Sequence, residues 1–159
     1  MAYAPEPFDT KIIQAGARIF DASLASTNTI HLTQFVATRT MTVRQLGLYV
    51  ASASAGDTWH AGIYNLARTS LLGRITTFAP TTSGFVLNSV IAPFQLSAGT
   101  EYWFAWKGTN GSATTGLFNS VGLAYPMNRS LFDAGANLPA SAAGATSSPS
   151  QIYGYISGR

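Results

Sequence analysis

Apolar residues in this chain recur at every second position, and no segment carries a sustained stripe at helical spacing. That pattern commits the backbone to strands, because successive side chains of a strand point to opposite faces. Thr40–Ala53 is the clearest case, with Leu46, Leu48 and Val50 on one face. In Thr58–Leu66, Trp59, Ala61 and Ile63 alternate with His60 and Tyr64. Further runs at Arg18–Ala22, Thr27–Ala37, Leu71–Phe78, Gly84–Ile91, Glu101–Lys107, Thr114–Leu123 and Gln151–Ile156 read as strands. Turn residues separate them. Ser54-Ala55-Gly56-Asp57 and Thr109-Asn110-Gly111-Ser112 are the plainest, the latter with the Asn-Gly pair that tight hairpins favour. Pro93 interrupts an apolar stretch and predicts a strand edge or bend. A short helical turn around Ser130–Gly135 is the one departure the sequence suggests. Eight to ten short strands in 159 residues predict an all-β, antiparallel β-sandwich, as a jelly roll, with Leu46, Leu48, Val50 and Ile63 inside.

Two segments fall outside the strand pattern. Residues 1–16 read as an extended N-terminal arm, with Pro5 and Pro7 stiffening it and Tyr3 and Phe8 as apolar handles for a partner. Residues 17–159 form the single sandwich domain. Within that domain, residues 133–150 are a loop of small residues without periodicity, long enough to expect a function or a covering neighbour.

Composition narrows the function. Charged side chains make up only 9%, whereas 18 threonines and 16 serines supply a hydroxyl-rich surface. A surface so sparsely charged tolerates close contact with other protein. The net charge of +3 rests on nine scattered basic residues without a basic run, which argues against nucleic acid as a partner. No stretch is long and apolar enough to span a bilayer as a helix. The N-terminus lacks a basic region followed by an apolar run, so the expectation is synthesis in the cytosol and use without processing. Asn110-Gly-Ser and Asn128-Arg-Ser therefore match the glycosylation pattern by chance.

Candidate chemistry is thin. There is no cysteine, and the two histidines and six carboxylates show no metal-ligand spacing, so no metal and no cofactor is expected. No Gly-x-Ser-x-Gly elbow appears, and the chain reads as a non-enzyme. Asp57 and Glu101 are the one carboxylate pair worth testing for glycosidase geometry. His60 reads as a solvent-facing or interface histidine. Trp59, His60, Trp106, Asn110 and Tyr125 are the candidates for contact with a glycan or a subunit, because rings stack on sugar faces and are enriched at interface cores. Tyr102-Trp103-Phe104-Ala105-Trp106 carries rings on both faces, so one face must be exposed or covered by a second layer or a subunit.

Three segments in order carry a family likeness: Gln45-Leu-Gly-Leu-Tyr-Val, Ala61-Gly-Ile-Tyr-Asn, and the run from Phe94 to Trp106 that contains Leu-Ser-Ala-Gly-Thr-Glu-Tyr-Trp. Together they resemble a jelly-roll module of tailed-bacteriophage virion proteins, found also in some bacterial surface and carbohydrate-associated proteins. The likeness spans residues 43–107, under half of the chain. It implies a virion structural protein, a capsid cement or decoration protein first. Its partners would be the major capsid protein, other virion subunits and further copies in a homo-oligomer. The alternatives are a tail-fibre or tail-tip module that recognises a host surface glycan, or a carbohydrate-binding module.

Overall fold

The computed structural model describes residues 9–12, 19–25, 28–53, 56–109, 114–118, 128–147, 151–152 and 154–158. Among these residues the chain is built of strands and turns without a helix, packed as an antiparallel β-sandwich.

One sheet has seven strands. Its spine is β4 (Met41–Ser52), paired with β7 (Gly84–Leu96) along one edge and with β13 (Gly154–Gly158) along the other. Beyond these lie β1 (Asp9–Ile12) on β13, and β2 (Ile19–Ala25) and β12 (Gln151–Ile152) on β9 (Thr114–Phe118), which itself joins the end of β4. The other sheet runs β11-β10-β3-β8-β5-β6, made of β3 (Thr29–Val36), β5 (Trp59–Asn65), β6 (Leu71–Arg74), β8 (Glu101–Gly108), β10 (Asn128–Phe132) and β11 (Thr146–Ser147).

The alternating residues do what their period requires. Val43, Leu46, Leu48 and Val50 of β4 meet Trp59, Ala61 and Ile63 of β5 and Tyr102, Phe104 and Trp106 of β8 in one core between the sheets. Leu46, Leu48, Val50 and Ile63 are all at most 1% exposed, as expected from the sequence. The turn Ser97-Ala98-Gly99-Thr100 carries the chain from β7 in one sheet to β8 in the other. Gly99 adopts φ +73°, and its N–H donates to the Ala37 carbonyl.

Two local readings change and one holds. Ser130–Gly135 is not helical: Asn128–Phe132 is strand β10, held on β3 from Asn128↔Thr33 to Phe132↔Thr29. Two-sided pairing there outweighs weak local propensity. The irregularity expected at Pro93 is present: strand β7 runs through it, and its register with β4 slips between Gln45↔Ser89 and Val43↔Phe94. The proline lies in that slipped stretch and owes no ladder hydrogen bond to β4. Finally, Asp9–Ile12 of the expected arm pairs with the chain's own β13, from Asp9↔Ser157 to Ile12↔Gly154. Tyr3, Pro5, Pro7 and Phe8 lie outside the described residues.

The ring-bearing β8 has its second face covered from within the chain. Trp103 and Ala105 form a second apolar cluster with Ile30, Leu32 and Tyr64 on the outer side of the six-stranded sheet. The small-residue segment 133–145 lies over it as a strap, contributing Leu138, Ala142 and Ala145, each at most 5% exposed. The sandwich thus has a third layer, and the strap itself does the covering expected of a neighbour.

Candidate functional site

The strap's seat is built by alternation on β5 and β8. Cross-strand pairs His60↔Lys107, Gly62↔Ala105 and Tyr64↔Trp103 put these residues side by side on the outer face. Gly62 leaves a hollow there. A β-carbon at that position would stand 2.8 Å from Leu138 Cδ1 and 2.9 Å from the Gly73 carbonyl oxygen, so the glycine is what admits Leu138. Tyr64 Oη donates to the Pro139 carbonyl at 2.6 Å, and the Leu71 N–H donates to Ala140 O at 2.9 Å. The small residues of the strap let its backbone lie this close to the sheet.

At one end of the seat lies a polar cluster. Lys107 is wholly buried, and its Nζ donates to Asp133 Oδ2 at 3.1 Å and to the Gly135 carbonyl. A buried ammonium is tolerated only with such partners. For Asp133, burial alone would raise the carboxyl pKa. The hydrogen bonds from Gly135 N–H and Lys107 and the Lys107 charge overcome it, leaving the pKa below the ordinary value. Arg74 Nη1 donates to Asn137 Oδ1 at 2.6 Å and ties the next stretch of strap to β6.

His60 borders this cluster. Its Nδ1 lies 3.2 Å from Thr77 Oγ1, and its Nε2 has no partner among the described residues. Burial, then the Lys107 and Arg74 charges, push its pKa down to about 4. The ring is therefore neutral at pH 7. A hydroxyl beside an imidazole invites comparison with a nucleophile–base pair, but no carboxylate orients the second ring nitrogen, as a triad requires. Asp57 precedes β5 at the Gly108 end of β8, whereas Glu101 starts β8 at the other end. At about 3.4 Å per residue the seven steps from Glu101 to Gly108 alone span roughly 24 Å, too far for a glycosidase pair. Among the described residues no three His, Asp or Glu side chains come together as a metal site would need.

Three sequence candidates move indoors. Trp59 and Trp106 are fully buried, packed edge to face with centroids 5.0 Å apart. His31 stacks on the Trp106 ring at 5.6 Å, and Phe78 meets Trp59 at 5.9 Å. Rings at the inner positions of β5 and β8 must fill the space between the sheets, so neither indole presents a face to sugar or to another subunit. His60 is 2% exposed rather than solvent-facing, because the strap closes over its side of the sheet. Asn110 and Tyr125 lie outside the described residues.

The residues that matter most under the strap were passed over in the sequence. Lys107 and Trp103 gave one signal, as the outward members of a strand whose inward members are Tyr102, Phe104 and Trp106. Arg68, Arg129 and Asp133 gave none, since only the fold brings a turn, β10 and the strap to one face. No family model matches the chain, and no curated protein matches its sequence.

Proposed function

We propose that this protein is a structural component of a tailed-phage virion, a capsid cement or decoration protein that stabilises the shell by non-covalent subunit contacts. The observation that carries the reading is the closed, charge-poor body: a sandwich whose second sheet face is sealed by its own strap, with Trp59 and Trp106 buried between the sheets and Trp103 buried under the strap. Such a body is a rigid brick with a hydroxyl-rich exterior, suited to broad contact rather than to turnover of a ligand. The segments that resemble virion jelly-roll modules fall on β4, β5 and the β7–β8 connection, where consecutive strands cross between sheets as they do in a jelly roll. That placement supports the family reading.

The mechanism would be stapling. Strand β1 anchors Asp9–Ile12 to β13, so the proposed clamp is residues 1–8, with Tyr3, Pro5, Pro7 and Phe8 to contact a neighbouring subunit. Burial of about 1,600 Å² per contact is ordinary for stable association, and many symmetric contacts add avidity. The test is proteomic and thermal. Purified particles should contain the protein in near-stoichiometric ratio to the major capsid protein, and particles lacking it should release DNA at lower temperature. Deletion of residues 1–8 should leave the domain's own melting unchanged and reduce its occupancy on particles. Absence of the protein from purified particles would refute the reading.

A further inference from the structure

Two arginines bond the same stretch of strap on the outer face of the six-stranded sheet, Arg68 through its carbonyl to Ala142 and Arg129 through its guanidinium to Ala145, and among the described residues neither is in an ion pair. Arg68 lies in the turn after β5 at φ +59°, a left-handed conformation that few non-glycine residues adopt. Several bonds hold it there. Its N–H donates to Asn65 O at 2.9 Å. Its carbonyl accepts from Ala142 N–H at 2.8 Å and from Ser141 Oγ at 3.2 Å. Asn65 Oδ1 accepts from the N–H groups of Thr69 and Ser70 and stiffens the same turn. Backbone strain of this kind persists only where the surroundings over-determine it.

The side chain is held as firmly. The Arg68 guanidinium stacks over Trp103, 5.1 Å from the ring centroid, and Trp103 Nε1 donates to Leu66 O at 2.9 Å. Arg129 comes from β10, where it pairs with Leu32 of β3, and reaches the strap through a long 3.4 Å bond from Nη1 to Ala145 O. The two charges feel one another: burial, then the Arg129 charge, lowers the Arg68 pKa. Among the described residues the buried Nε of Arg68 and that of Arg129 both lack an acceptor. No carboxylate of the described residues pairs with either arginine. Glu101, two residues before Trp103 on β8, is in no ion pair with them.

Like charges held together with unfilled donors are unfavourable unless something completes them. The forked donors of arginine match carboxylate and phosphate oxygens. We propose that Arg68 and Arg129, positioned by Trp103 and the strap, form a binding site for an oxyanion, a carboxylate or phosphate group. This site does not depend on the virion reading; it would serve equally a free ion or an acidic group on a partner protein.

Inorganic phosphate is the first probe, titrated into the full chain by calorimetry at constant ionic strength set with sodium chloride. Saturable binding is expected, weakened about tenfold or more in R68Q and in R129Q. It should be unchanged in R44Q, which removes an exposed arginine from β4 in the other sheet. Far-UV spectra and melting in chloride alone establish that each variant is folded. Because loss of Arg68 also disturbs the Trp103 stack, R129Q is the decisive variant. A triglutamate peptide is the second probe. Tighter binding of the peptide names a protein-borne carboxylate as the source, and tighter binding of phosphate names the free ion. No binding of either probe, or binding that survives in R129Q, overturns the site.

Discussion

Leu138→Ala should unseat the strap, and its cost can be worked from the seat. The substitution removes three carbons from a side chain that is 5% exposed. At about 0.8 kcal/mol per buried carbon that is roughly 2.4 kcal/mol. A residual cavity adds about 24 cal/mol per Å³, so a void of about 40 Å³ would bring the total to roughly 3.4 kcal/mol. The strap is a surface segment able to settle inward, which favours the lower figure. Urea unfolding should therefore show a loss of about 2–3 kcal/mol, and melting should fall by roughly 5–10 °C for a chain of this size. The same geometry predicts a coupling. In Gly62→Ala the new methyl stands 2.8 Å from Leu138 Cδ1 and 2.9 Å from Gly73 O, at an overpacking cost of about 1–3 kcal/mol. With Leu138 already truncated the first clash is gone and the second remains. Gly62→Ala should then cost about 1 kcal/mol less than it does alone. A loss below about 1 kcal/mol for Leu138→Ala, or an identical cost of Gly62→Ala in both backgrounds, would show that Leu138 does not sit in the Gly62 hollow.

Further expectations follow from the same contacts. Burial depresses the pKa of His31 and of His60 from 6.5 to about 4, so the unfolded chain takes up protons at a pH where the folded one does not. Their contribution is complete above about pH 6.5 and is lost as pH falls towards 4, on the order of 3 kcal/mol for each ring. Asp133, also depressed, adds a loss of the same sign as pH falls through its folded value. Unfolding midpoints at pH 8, 6, 5 and 4 check this, and a flat profile that H31Q and H60Q leave unaltered would contradict it. Tyr64→Phe deletes the donor to Pro139 O and should cost about 1 kcal/mol in urea unfolding, with hydrogen exchange quickened at the Leu71 and Ala142 amides. Gly158→Ala would drive a methyl into the Thr42 carbonyl, a backbone group that cannot swing aside. A loss of at least about 3 kcal/mol, or no folded protein, is expected, measured as soluble yield and melting temperature.

The period-two pattern was enough to determine the fold class and the inner faces of the central strands. Leu46, Leu48, Val50 and Ile63 are buried because a strand in a sandwich has one place to put alternate apolar residues. The same pattern left two questions open. A strand with rings on both faces, as in Tyr102–Trp106, requires two covers, but nothing local says what the second one is. The segment 133–145 gave no period to read, because it is held by scattered contacts with β5, β6 and β8 rather than by a repeating ladder. Strand β10 was equally hidden: Asn128–Phe132 is a strand because β3 and β11 flank it, and pairing of that kind is absent from local sequence. The candidate site belongs wholly to tertiary structure. Composition told that charges are few, and alternation told that Trp103 and Lys107 face away from Trp106. Only the closed sheet could bury Trp59, Trp106 and His60 and tie Lys107 to Asp133. It alone brings Arg68 from a turn and Arg129 from β10 to one face, because side chains far apart in sequence acquire neighbours only when the chain closes on itself.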